Sequence, residues 1–379
     1  MQQVLGVEEA PAVRALYRIQ NCALANCASD VHLDPTPSGG RVRFRVDGML
    51  RNIETLEGIL YLSLVSRIKL LAGMDIADRR QPQDGRYAIP SQKGDVDARV
   101  SSVPTIDGEK LVIRLLDTRA KSPALDCLGM RVTTLARYRR LIAAPYGFLI
   151  VTGPTGSGKT TTLYSSLREI SNQTRSICTV EDPVEMRLEG VAQVNVNARA
   201  GLDFSVVLRS FLRQDPNVIM VGEMRDAATA SVAISAALSG QLVLTTLHSN
   251  DAPRTIERLL ELGVERHAIG AALFGVLSQR LVRRLCPECR AFDARSGAYV
   301  AAGCPECLNT GYSGRIGLFE LLEVDDAIRE AIAGGSSVVA IRRLAERTGY
   351  EPLAADGSAK LASGETSRDE LRRVLGSAA

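Results

Sequence analysis

Tryptophan is missing from the 379 residues, and aromatic residues together make up only 4%. A chain so poor in rings does not build the stacking platforms that hold single-stranded nucleic acids. An excess of charge is missing too. The 46 Lys and Arg against 43 Asp and Glu leave a formal net charge of +3, too small to signal a polyanionic partner. The first residues, MQQVLGVEEAPAVRAL, carry acids and no apolar core, so no secretory signal is expected. The most lipid-like stretch, AATASVAISAALSGQLVLTTL at 227–247, is rich in Ala, Ser and Thr and is broken by Gly240. Its pieces fall short of the roughly 20 apolar residues of a spanning helix. It reads as a packed helix followed by a buried strand, in a cytoplasmic chain without repeats or low-complexity tracts.

What is present is an ordinary globular composition, 45% apolar and 23% charged, in a chain long enough for two or three domains. Of eight cysteines, four form two CPEC pairs, Cys286/Cys289 and Cys304/Cys307. In a cytosolic chain that spacing argues for metal over disulfides. Cys22, Cys27, Cys127 and Cys178 have no such pattern and are expected to be small apolar fillers.

Helical periodicity over residues 11–28 leads into ASDVHLDP. In RVRFRVDGML (41–50), Val42, Phe44 and Val46 alternate with arginines, the period of a half-buried strand, and Asp47-Gly48 marks a hairpin turn. Residues 56–72 read as an amphipathic helix, followed by strands in GRYAIP, DVDARVSSVP and KLVIRLL. Residues 1–117 are therefore expected to form a small α+β domain with an antiparallel sheet. TRAKSPALDC opens an expected linker over 118–130. Beyond it, FLIVTG, SICTVED, VIMVGE and QLVLTTLH are continuous apolar runs between helix-length segments. Such runs fit strands covered on both faces, as in a parallel α/β sheet. The expected second domain spans 131–379, with a cysteine insert at about 284–312 and short helices from 325 to the end.

Chemistry concentrates in Gly153-Pro154-Thr155-Gly156-Ser157-Gly158-Lys159-Thr160, which follows an apolar strand and precedes a helix opening at Thr161. Glycines let successive backbone N–H groups face phosphates, Lys159 neutralises the terminal phosphates, and Thr160 offers a hydroxyl to magnesium. The helix N-terminus adds partial positive charge. These residues point to ATP with Mg2+. The run Val218–Val221 ends in Gly222-Glu223, a carboxylate positioned to orient the magnesium shell or an attacking water. Glu181, Asp182 and Glu185 crowd three acids into five residues, which is costly unless a cation or a water network uses them. His248 ends the run QLVLTTL, at the strand end where ligands of open α/β sheets gather. There it can sense the terminal phosphate. The two Cys pairs, 14 residues apart, supply four thiolates for a closed, structural Zn2+ site. Arg280, Arg283 and Arg284 form the one local basic patch worth testing for nucleic acid.

Together these segments resemble the secretion-ATPase superfamily, in its type II secretion and type IV pilus assembly branch. The resemblance rests on ASDVHLDP (28–35), RVRFRVDG (41–48), QPQDGR (81–86) and DARVSSVPTIDGEKLVIRLL (97–116), then GPTGSGKTTTLY, VEDPVE, LRQDPNVIMVGEMRD and SGQLVLTTLHSNDA, in one order from about residue 12 to the end. It implies a RecA-like P-loop NTPase domain preceded by the smaller α+β domain, in a homo-hexameric ring that hydrolyses ATP to drive pseudopilus or pilus assembly. Glu185 and Glu223 would position and activate water, His248 would lie near the γ-phosphate, and Arg86, Arg99 and Arg114 would be carried to the nucleotide by domain closure. Implied partners are an inner-membrane platform protein and the membrane protein that recruits the ATPase to the cytoplasmic face of the inner membrane, with no nucleic acid. Retraction-type relatives generally lack the cysteine insert, which favours assembly or secretion. Members usually carry a further docking domain ahead of the ASD-H motif. That motif begins here at residue 28, so a trimmed or naturally short member is expected.

Overall fold

The computed structural model describes residues 10–91, 94–116 and 122–376. The chain divides into two compact units, 1–120 and 121–379.

The first unit runs α1 (Pro11–Ala25), β1 (Asp30–Thr36), β2 (Gly39–Val46), β3 (Met49–Glu57), α2 (Gly58–Leu71), β4 (Gln83–Ile89), β5 (Val96–Thr105) and β6 (Gly108–Leu116). Its six strands form one antiparallel sheet in the order β3-β2-β1-β6-β5-β4. The hairpin read from Asp47-Gly48 is present. Val46 pairs with Met49, and the two turn residues take φ of 52° and 81°, as a two-residue primed turn requires. Alternation along β2 sends Val42, Phe44 and Val46 into a core shared with Leu16, Ile19, Leu64 and Ile68 of the helices. Arg41, Arg43 and Arg45 lie on the opposite face. The core is pinned by the Tyr61 hydroxyl, which bonds the carbonyls of Leu33 and Glu109 at 3.1 and 2.7 Å. A buried Lys69–Glu109 pair at 2.6 Å lies beside it.

The second unit runs α3 (Val132–Ala143), β7 (Gly147–Thr152), α4 (Lys159–Ile170), β8 (Ile177–Glu181), β9 (Ala192–Asn195), α5 (Phe204–Phe211), β10 (Val218–Val221), α6 (Ala227–Leu238), β11 (Leu242–Leu247), α7 (Arg254–Glu261) and α8 (Arg266–Ala272). It continues with β12 (Leu273–Leu285), β13 (Arg290–Asp293), β14 (Ala298–Ala301), β15 (Tyr312–Glu323), α9 (Asp326–Ala333), α10 (Val338–Arg347), α11 (Leu353–Ala362) and α12 (Arg368–Leu375). The main sheet has the order β15-β12-β7-β11-β10-β8-β9, parallel throughout except for β15 at its edge. Strands β7, β8, β10 and β11 are buried along their whole length, because helices cover both faces. One face packs Ile150, Val180, Ile219 and Val243 against α5, α6 and α8. The other packs Leu149, Val151, Met220 and Leu244 against α3 and α4. The stretch 227–247 is α6 followed by β11, and no described helix is long and apolar enough to cross a membrane.

Of the expected linker, residues 118–121 lie outside the described residues. Its later part instead joins the second unit's core through the fully buried Leu125. The filler reading suits Cys178, which is buried, but Cys27 and Cys127 are exposed. Cys27 follows the end of α1 and Cys127 lies within a 3-10 turn, where packing makes no demand on them.

Candidate active site and tetracysteine module

Strand β7 stops at Thr152, whose hydroxyl donates to the Leu247 carbonyl at 3.1 Å, so the ends of β7 and β11 are tied. The loop that follows turns at Gly153, Gly156 and Gly158, with φ of 147°, 76° and 88°, values that side-chain-bearing residues rarely adopt. A Cβ at Gly153 would also sit 2.5 Å from the Gln279 carbonyl. Gly158 caps α4, so the first turn of the helix opens directly from the loop. The Lys159 ammonium donates to the Gly153 and Pro154 carbonyls at 2.9 and 3.0 Å and lies along the loop. Burial lowers its pKa to about 8, with the Glu223 carboxylate opposing that shift and Arg280 adding to it.

Glu223 follows β10 after Gly222. Its loop is fixed by the Thr246 hydroxyl donating to Gly222 at 2.7 Å and by Met224 N–H donating to Thr246 at 3.1 Å. The carboxylate pairs with Arg225. His248 follows β11, with the Gly153 backbone beside it. Its pKa is lowered by burial first and by Lys159 second, with Glu223 pulling the other way. The imidazole is therefore favoured in its neutral form within the same electrostatic field as the lysine and the glutamate.

The three acids at the end of β8 and just beyond it separate by role. Glu181 is buried and accepts hydrogen bonds from Tyr164, from Thr179 at 2.6 Å and from Gln193 at 3.2 Å. Tyr164 in turn accepts from the Glu185 backbone N–H at 3.0 Å. Glu181 thus anchors the segment. Lys159, Thr160, Glu185, Glu223 and His248 all border one cleft of about 510 Å³, at the carboxyl ends of the parallel strands. Thr155, Gly156, Gly158 and Thr161 line it too, whereas Ser157 is buried beneath the loop. Sequence reading missed Tyr164, Arg225 and Gln279, and also Leu281 and Arg315, which reach the same cleft. Tyr164 and Arg225 lie within the GPTGSGKTTTLY and LRQDPNVIMVGEMRD segments, but their contacts, like those of Gln279, Leu281 and Arg315, arise from strand pairing and helix packing.

In the first unit, pairing across three strands sets Arg86 beside Arg99 and Arg99 beside Arg114, all on one face of the sheet. Like charges directly opposite one another destabilise a sheet. Acids relieve only part of this row: Asp30 is 3.1 Å from Arg114, and Asp97 is 3.8 Å from Arg99. The Arg280/Arg283/Arg284 patch is largely consumed by internal bonds. Arg280 donates to the Asn250 carbonyl at 2.7 Å. Arg283 pairs with buried Glu370 at 2.8 Å and stacks on Tyr312. Only Arg284 of the three is exposed, which is no track for a nucleic-acid backbone.

The second unit carries the cysteines at the open end of the β13–β14 hairpin, Cys286 and Cys289 before β13 and Cys304 and Cys307 after β14. Their sulfurs lie within 4.8 Å of one another, with Cys286–Cys304, Cys289–Cys307 and Cys304–Cys307 at 3.9, 3.8 and 3.7 Å. A tetrahedron with zinc–sulfur bonds of about 2.3 Å has sulfur–sulfur edges of about 3.8 Å. The donor set therefore fits zinc in size and chemistry. The backbone N–H groups of Cys304 and Gly311 point at the Cys307 sulfur at 3.2 and 3.1 Å, the outer support that a thiolate ligand needs.

The family model described as type II/IV secretion system protein matches residues 6–373. The type II secretion system protein HxcR of Pseudomonas aeruginosa is 47% identical over 365 residues, covering 96% of this chain and 77% of that protein. The type IV pilus assembly ATPase PilB of Thermus thermophilus is 42% identical over 384 residues, 97% of this chain but only 43% of that longer protein. Among solved structures, the Legionella pneumophila ATPase DotB superposes with a TM-score of 0.74 at 23% identity, covering 98% of this chain and 97% of that one, which establishes the shared fold.

Proposed function

The chain belongs to the type II/IV secretion system protein family and is a secretion ATPase; from that premise we propose that it is the hexameric motor subunit whose MgATP hydrolysis drives pseudopilus assembly in type II secretion. The observation that carries the reading is the single cleft that collects the phosphate loop, two carboxylates and His248 at the strand ends.

In this reading the backbone N–H groups of Gly153 and of Thr155 to Thr161, with the Lys159 ammonium, bind the β- and γ-phosphates, and the Thr160 hydroxyl would hold magnesium. Glu223 accepts a proton from the attacking water, with Glu185 orienting that water. As the water oxygen bonds to the γ-phosphorus, the bond to the ADP oxygen breaks, and phosphate and ADP leave. Neutral His248 donates toward the γ-phosphate and so registers its presence. The row Arg86, Arg99 and Arg114 neutralises transition-state charge when domain closure delivers it, which makes hydrolysis depend on domain position. An arginine supplied in this way is worth about 10³–10⁵ in rate.

Cys286, Cys289, Cys304 and Cys307 would hold zinc, which supplies cohesion to a hairpin too small for its own core. The motor works at the cytoplasmic face of the inner membrane, with a platform protein and a recruiting membrane protein as partners. Glu223→Gln is expected to lower turnover about 10²–10³-fold with MgATP affinity within about threefold, measured by phosphate release and nucleotide titration. Unchanged turnover would sink the catalytic assignment. A second reading, pilus assembly, is favoured by the 42% identity to PilB. A strain lacking the protein would lose exported enzymes in the first case and surface pili in the second. Co-purification with the platform protein of one machine tests the partner directly.

A further inference from the structure

Gln279 sits in β12, one position beyond the pairing of Ser278 with Thr152 at the end of β7. Its side chain is 1% exposed and lies under the phosphate loop. The amide nitrogen donates to the Ser157 carbonyl at 2.6 Å, and the amide oxygen accepts from the Thr162 hydroxyl of α4 at 2.8 Å. The reversed amide is excluded, because it would press two oxygens together at Ser157. One buried side chain therefore joins the loop, the first turns of the helix and a neighbouring strand.

The consequence for the loop follows from the planarity of the peptide. In a trans peptide the C=O and the next N–H point in opposite directions. Holding the Ser157 carbonyl toward the sheet turns the Gly158 N–H away from it, and Gly158 borders the cleft. A Cβ at Gly158 would come within 3.1 Å of the same amide nitrogen, so glycine and glutamine are fitted to each other. We infer that Gln279 is a positioning residue for nucleotide binding: it never touches phosphate, but through Ser157 it presets the Gly158 N–H that receives it. This rests on the ATPase reading.

The test is titration of MgADP against the full-length wild type and two variants, with turnover measured in parallel. Gln279→Met keeps the volume and removes both bonds. A buried carbonyl left without a donor weakens the preset loop, and the expected rise in Kd is about tenfold, with KM rising in step and kcat changing much less. Gln279→Glu keeps the shape but sets a carboxylate oxygen against Ser157. Its deficit relative to wild type is expected to be large at pH 8 and to shrink at pH 5.5, where the protonated acid donates in place of the amide. Melting curves check folding. If the Met variant does not fold, the pH comparison within the Glu variant decides. Kd within twofold of wild type for the Met variant, or a Glu-variant deficit identical at both pH values, overturns the inference. A wild type that fails to bind MgADP overturns the ATPase reading instead.

Discussion

The two large sheets of this chain carry polar chemistry in opposite ways. In the second unit the strands β7, β8, β10 and β11 are buried along their length, and Glu223 and His248 sit just past strand ends, while Lys159 and Thr160 open α4 beyond the glycine-rich loop. In the first unit the arginines proposed to reach the nucleotide, Arg86, Arg99 and Arg114, stand mid-strand on one face of an antiparallel sheet. A cradle made of N–H groups is specified by glycines at fixed spacing within eight residues. A charged row is specified by pairing register, from residues 28 positions apart at its ends. The first design places binding energy in local conformation. The second accepts cross-strand repulsion and can recover it only when an anion arrives.

The sharpest test of this contrast is Lys159→Ala, for which nucleotide binding and turnover are expected to fall at least about 10²-fold, read by titration and phosphate release. Arg99→Ala should separate what Lys159→Ala joins. Affinity is expected to hold within about threefold while turnover falls about 10²-fold or more. Removing the middle charge of the row should also raise stability by about 0.2–1 kcal/mol, seen as a small increase in Tm. Loss of affinity equal to that of Lys159→Ala would break the contrast.

A pH experiment follows from the lysine. Its pKa of about 8 reflects burial, and bound phosphates restore its charge, so binding takes up a proton. Affinity is expected to fall about tenfold per unit as pH rises well above 8, and calorimetry in buffers of different ionisation enthalpy should register about half a proton taken up at pH 8. The smallest effect is expected away from both sheets. Cys304→Ser should lower bound zinc from about one ion per chain to near none, measured by metal analysis, with protection lost only over the β13–β14 hairpin in hydrogen exchange.

Legibility followed the same divide. The hairpin at Asp47-Gly48, the buried parallel strands, the phosphate loop and the cysteine pairs were all readable, because each is a short-range pattern with one cheap conformation. Strand β1 was not read as a strand. Its Asp30 and Asp34 look like loop residues until Arg114, Arg43 and Lys110 on neighbouring strands are seen to pair with them. Glu181 was grouped with Asp182 and Glu185 on charge alone, and only Tyr164, brought over it by α4, shows that it is an anchor. The basic patch at Arg280–Arg284 dissolves for the same reason, since Glu370 and the Asn250 carbonyl come from elsewhere in the chain.

By itself the sequence determined the elements whose information is local: where the chain turns, which strands are covered on both faces, where the glycine-rich loop joins strand to helix and where four thiols converge. The tertiary structure alone decided which polar groups are spent on one another and which face a cleft. That choice depends on burial and on partners tens of residues away, and a buried charge or amide takes its meaning from the group it meets. Gln279 is the clearest case. As one residue among LSQRL it carries no signal, yet packed beneath the loop it is bonded at both ends of its amide.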